Sequence, residues 1–140
     1  MSDTPHSSRE IVLKAIAFLN GVENVPSTET PATGRLMLKA SPSTIYYQLE
    51  TSHIHGDSDN IISANLHLGI RGHNGPIIAN LKINEQGELS KSDLFGNMEG
   101  IPLAILFDEI SHNHIYVEVI GNDVIRGQLG LIKKNFLKKH

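Results

Sequence analysis

The 140-residue chain contains no cysteine, which excludes disulfides, thiolate metal ligands and a cysteine nucleophile together. That absence leaves the compartment open. No apolar run approaches the roughly 20 residues that a membrane-spanning helix needs, so no membrane span is expected. The opening MSDTPHSSRE lacks the charged-then-apolar pattern of a secretion signal. Either the protein is not exported by that route or a signal has already been removed. A basic surplus is missing too: 12 basic against 15 acidic residues give a formal net charge of −3, which argues against a nucleic-acid partner, since such surfaces concentrate positive charge. There is no repeat of solenoid length and no low-complexity tract. No G-x-S-x-G context positions a serine nucleophile. The glycines of GIRGHNG lack the lysine and the strand-loop-helix setting of a phosphate loop. Asp57-Ser58-Asp59-Asn60 gathers oxygen groups but lacks the glycine turn and later glutamate of an EF-hand, so it reads as a polar turn before a weak calcium loop.

What remains is the length of one domain, able to bury its own core, and a pattern dominated by strands. Leu36, Leu38 and Ala40 alternate with Arg35, Met37 and Lys39, as a half-buried strand requires. Ser41-Pro42-Ser43 then turns the chain into Thr44 to Glu50, rich in β-branched and aromatic residues, so the pair predicts a hairpin. Further strands are expected over Ile61 to Leu68, Pro76 to Ile83, His114 to Ile120 and Val124 to Ile132, each bounded by Gly, Asn, Asp or Pro. Glu10 to Asn20 is apolar with a period that fits helix or strand; as a strand it would open the domain. Pro102 to Ile110 breaks the pattern: apolar Leu103, Leu106, Phe107 and Ile110 fall at helical spacing behind a proline suited to the first helical position. A short helix near residues 102–110, covering an open end of the sheets, is expected. The division is a flexible N-terminal arm over 1–9, one β-domain over 10–132, and a basic tail over 133–140 with four lysines and a terminal histidine. Such a tail is usually solvated, and an anionic partner or membrane surface is its alternative.

Eight histidines raise the question of a metal. SHIHGD, at residues 52–57, sets His53 and His55 on one face of any strand that contains them. Two ligands do not make a site, since a tightly held transition metal takes three or four. His67, with Asn65 on the same face, has His73 in the loop that follows, and His112 and His114 form a second His-x-His. Imidazole binds copper and zinc alike, so a site drawn from His67, His73, His112 and His114, or from His53 and His55 across a hairpin, is open. The competing reading is of isolated surface and half-buried histidines. Asp108 and Glu109 are adjacent on the expected helix and diverge, so they form no catalytic dyad.

Ala15 to Pro26, AIAFLNGVENVP, resembles the opening A-x-L-x-G-x-x-E-V-P of the CHRD domain, named after chordin, with Leu19, Gly21, Glu23, Val25 and Pro26 in place and Asn24 inserted. Ala32-Thr33-Gly34 is similar to that family's A-T-G segment. Gly69, Gly72, Asn74, Gly75 and Pro76 match its G-x-x-G-x-N-G-P loop, and YVEV followed by IRGQL, through Gln128 and Leu129, resembles its ending. The resemblance runs over about residues 14 to 131. It implies an all-β, Greek-key antiparallel β-sandwich, superoxide-dismutase-like or immunoglobulin-like, of about seven or eight strands. The family's own His-x-His falls on Asn65-Leu66-His67, and its later histidine on Ile120, so only His67 is retained.

Three functions follow from these readings. The first is a non-catalytic module for surface-associated binding or self-assembly, a fibre or coat subunit whose arm, Met1 to Arg9, adds to an open sheet edge of a neighbour. The resemblance implies an extracellular, cell-surface or spore-surface setting, partners that are copies of the chain or another surface protein, and no required cofactor. The second is a histidine-based copper or zinc binder. The third, an enzyme of the copper-zinc superoxide dismutase type, has lost two of that pattern's three histidine positions. Arg126, in VIRGQL, alternates with apolar neighbours and needs acceptors for its fork; Glu23 is the expected partner.

Overall fold

The computed structural model describes residues 10–54 and 63–132. Among these residues nine strands and one helix lie in the order β1 (Leu13–Leu19), β2 (Thr33–Ala40), β3 (Ile45–Ser52), β4 (Ser63–Leu68), β5 (Ile77–Asn80), β6 (Gln86–Leu89), α1 (Leu103–Ser111), β7 (Ile115–Ile120), β8 (Val124–Gln128) and β9 (Gly130–Leu131), with 3₁₀ turns at Lys91–Asp93 and Gly96–Met98. A five-stranded sheet runs β6-β3-β2-β1-β9 and a four-stranded sheet β5-β4-β7-β8. Their paired strands are antiparallel, and the two sheets face each other as an all-β sandwich. After the β4–β5 hairpin the chain returns to lay β6 beside β3, which is the crossover a Greek key demands.

Alternation decides which side chains enter. From the five-stranded sheet Ala15, Ala17, Leu19, Leu36, Leu38, Ala40, Ile45 and Leu49 point inward; Ala64, Leu66, Ile78, Val117, Val119 and Ile125 meet them from the other. Leu103, Leu106 and Ile110 of α1 join the same core, and Phe107 is half-buried against it. Pro102 sits one place earlier than expected, as the N-cap in extended conformation, and the helix ends at His112 with Asn113 at φ 61°.

The apolar stretch 10–20 resolves as strand, because its neighbour β2 pairs with it from Leu13↔Ala40 to Leu19↔Gly34. The strand expected over 124–132 divides at buried Leu129: β8 belongs to the four-stranded sheet and β9 to the five-stranded one. The division closes one side of the sandwich. Asn20 and Arg126 exchange both backbone hydrogen bonds at 3.1 Å, tying β1 to β8 between the sheets. Gly127 stands so close to the Phe18 carbonyl that a Cβ would overlap it. The strand expected at 76–83 stops at Asn80, and Leu81 instead donates its N–H to the Ala64 carbonyl at 2.9 Å. The sequence does not mark β6 as a strand, since QGEL carries no β-branched residue.

Candidate functional site

Cross-strand register places two rows of polar side chains on the outer face of the four-stranded sheet. One row is Asn80, Asn65, Glu118 and Arg126, and the next includes His67, Tyr116 and Gln128. Residues directly opposite on antiparallel strands point to the same face. An outer face is normally solvated, yet Asn65, His67, Tyr116 and Arg126 are all buried, the last three because the loop from Gly69 to Pro76 folds over them.

Arg126 organises this roof. Its guanidinium donates to the Ile70 carbonyl at 3.0 Å, the His73 carbonyl at 2.6 Å and Asn74 Oδ1 at 3.1 Å. The same group lies 3.5 Å from the centroid of the Tyr116 ring, a cation–π contact strengthened by removal from water. Tyr116 in turn stacks on the His67 imidazole, with centroids 4.6 Å apart and planes 10° from parallel. Below the stack, the Gly75 N–H donates to the Tyr116 hydroxyl at 3.0 Å, and His67 Nδ1 donates to the Gly75 carbonyl at 2.8 Å. Gln128 Nε2 donates to the carbonyls of Gly69 and Asn113 at 2.9 and 2.7 Å. The loop's own sequence fits this grip: Gly72 turns at φ 84°, and Gly75 lies against the Leu68 carbonyl where no side chain fits.

The expected Glu23–Arg126 pair does not form. Glu23 accepts from Arg71 Nε at 3.0 Å, while Arg126 is satisfied by one amide oxygen and two backbone carbonyls. The physical reason is direction: Arg126 points out of the sheet under a loop whose carbonyls converge on it, whereas Glu23 lies outside that roof and is partly exposed. The two segments still meet, because Asn74 Nδ2 donates to the Val25 carbonyl at 3.2 Å. Asn24, the inserted residue, is buried and donates to Thr28 Oγ1 at 2.8 Å and to the Val124 carbonyl at 2.7 Å.

The histidines are dispersed. His67 is in the stack; His73 is exposed in the roofing loop. His112 and His114 flank the end of α1 with rings 5.9 Å apart, their Nδ1 atoms donating to the Asp108 carbonyl and to Glu109 Oε1 at 2.8 and 2.7 Å. His53 follows β3 at φ 60°, and His55, with the Asp57 to Asn60 loop, lies outside the described residues. Among the described residues no three His, Cys, Asp or Glu side chains converge on one point. His67 Nε2 is buried without a hydrogen-bond partner, 3.4 Å from Glu118 Oε1. One imidazole nitrogen and one carboxylate fall short of the three or four donors copper or zinc takes, and Ile120 adds none. The donor set here does not fit a resident metal.

The opposite outer face is built differently. On the five-stranded sheet Phe18, Met37 and Tyr46 stand in solvent, at 63%, 39% and 37% exposure, and a shallow groove of about 820 Å³ runs past Lys14, Met37, Lys39, Tyr46 and Glu88. A second groove of about 620 Å³ lies between Phe18, Ile70, Arg71 and His112. Neither this face nor Tyr116 nor Glu118 is among the site residues expected from the sequence. The signal for the last two was present, since Tyr116 and Glu118 alternate with Val117 and Val119 in IYVEVI.

No curated protein and no solved structure matches this chain. A family model for the CHRD domain matches residues 16–129, a span that includes the E-V-P segment, the roofing loop and the β7–β8 hairpin. The chain belongs to the CHRD domain family.

Proposed function

We propose that the protein is a non-catalytic module that works by association at an outer surface such as a cell wall, matrix or spore coat, foremost with copies of itself. The observation that carries this reading is the five-stranded sheet's outer face, where Phe18, Met37 and Tyr46 are held in solvent among charged neighbours. Large side chains exposed together on a rigid sheet favour a macromolecular contact. On the other face Arg126, Tyr116, His67 and Gln128 are bonded to the Gly69–Pro76 loop, with His67 Nε2 and Gln128 Oε1 left buried and without a hydrogen-bond partner. That arrangement supports a structural clasp. It supports neither redox copper chemistry nor a metal store, because one retained histidine supplies too few donors.

Two routes to assembly are open to the chain. One is pairing of faces. The other is addition of the arm at residues 1–9, which lie outside the described residues, to β6, an edge strand that pairs on one side alone among the described residues. Sedimentation velocity of the tag-free chain over a wide concentration range tests the proposal. Species larger than one chain are expected; a one-chain species at every concentration would contradict it. Repeating the run without residues 1–9 separates the routes, since assembly that survives the deletion belongs to the faces.

A further inference from the structure

The solvent face of the five-stranded sheet is ordered in three cross-strand rows. Reading from β1 toward β6, the first is Lys14, Lys39, Tyr46, Glu88; the second is Ile16, Met37, Gln48, Gln86; the third is Phe18, Arg35, Glu50. The signs divide along the seam between β2 and β3. Every charge of these rows on β1 and β2 is positive (Lys14, Lys39, Arg35), and every one on β3 and β6 is negative (Glu50, Glu88). The apolar groups stand among them, Ile16 and Phe18 on β1, Met37 on β2 and Tyr46 on β3.

From this pattern we infer that two copies pack these faces together about a twofold axis running along the β2–β3 seam, a partner assignment that rests on the self-association proposed above. Such an axis reverses the lateral order of strands and keeps each row in register with itself, as an isologous contact requires. Lys14 then faces Glu88 of the second copy, Lys39 faces its Tyr46, and Arg35 faces its Glu50. Each positive group meets an acid or an aromatic face. The second row brings Met37 over Gln48 and Ile16 over Gln86. Within one chain Lys14 and Lys39 stand directly opposite each other, a like-charge pair that costs stability when alone and is relieved by an arriving acid. Arg35 already donates to Glu50 in its own chain at 2.8 Å, so the dyad assembles an alternating cluster of four charges.

Strand and residue spacings give the face about 20 Å by 25 Å, or about 1,000 Å² buried by both copies. That is the lower bound for a specific interface. A weak, salt-sensitive dimer with a dissociation constant of about a micromolar or above is therefore expected.

The test is charge reversal with a mixing arm. Glu50→Lys with Glu88→Lys makes the whole face positive; Lys14→Glu, Arg35→Glu and Lys39→Glu together make it negative. These residues are at the surface, and thermal melting checks that both variants fold. At a concentration where the natural chain is dimeric, each variant alone should sediment as a single chain, with at least tenfold weaker association. The equimolar mixture should return to dimer. A dimer that persists in both variants overturns this interface while leaving self-association standing, and its loss on removing residues 1–9 would assign it to the arm. A natural chain that is monomeric at every concentration overturns the interface and the proposed function alike.

Discussion

Arg126 is the residue on which the clasp depends. It is 1% exposed and carries a full charge against two carbonyls, one amide oxygen and an aromatic face. Removing it strands the Ile70 and His73 carbonyls and uncovers Tyr116. Arg126→Ala is expected to cost about 3 kcal/mol or more, since each buried acceptor left without a donor costs about 1–3 kcal/mol, read as a lower denaturant midpoint. Arg126→Lys keeps the charge but has a single nitrogen for three separate acceptors, so it should recover only part of the loss. The sequence made Arg126 legible, through its alternation with apolar neighbours, but not its partners. Two of them are backbone carbonyls, which no residue pattern marks. At Tyr47 the prediction concerns pH. Burial pushes its hydroxyl above the usual tyrosine value, with Glu85 and Asp93 acting the same way and the Lys82 N–H hydrogen bond opposing them. A raised folded pKa gives stability that is whole below the unfolded value of about 10. It is lost as pH rises through the folded value. Thermal stability should therefore fall above about pH 10, and Tyr47→Phe should flatten that fall at the cost of the Lys82 contact.

At the scale of elements, the β2–β3 hairpin was readable because each strand alternates strictly and its outward residues are polar or long. Helix α1 was readable because its apolar residues recur at helical spacing, and Leu106 illustrates the consequence. Its side chain is fully buried, so Leu106→Ala should destabilise by about 2–5 kcal/mol, whereas the exposed neighbour Ile105 should tolerate alanine within about 0.5 kcal/mol. Equilibrium unfolding of the two variants checks the contrast. What sequence could not show was the crossing from β8 to β9. Val124 to Ile132 is apolar enough for one continuous strand, and its break depends on β1 lying alongside. Gly127 marks the place where the two backbones touch. Gly127→Ala sets a Cβ into the Phe18 carbonyl, which backbone cannot yield cheaply. A marked drop in melting temperature is expected, and an unchanged one would show that β1 and β8 are not held this closely.

Over the whole molecule, the two outer faces have been put to different uses by the same rule of alternation. On the four-stranded sheet His67, Tyr116, Arg126 and Gln128 are covered by the loop from Gly69 to Pro76 and bond to it. On the five-stranded sheet the outward residues remain in water, divided by sign along one seam. The histidines that first draw attention in the sequence do not gather among the described residues, and their dispersal follows from where the strands place them: at a strand end, under the roof, in the loop and at the end of α1. The family's segments, by contrast, do meet in space, Glu23 on Arg71 and Asn74 on Val25. Amide spectra of uniformly ¹⁵N-labelled protein, recorded as its concentration is raised, test this division of labour most directly. Concentration-dependent shifts should gather on Ile16, Phe18, Met37, Tyr46 and Gln48 while Gly69 to Gly75, His67 and Glu118 stay unmoved. Shifts centred on the roofing loop, with the five-stranded face silent, would contradict the account.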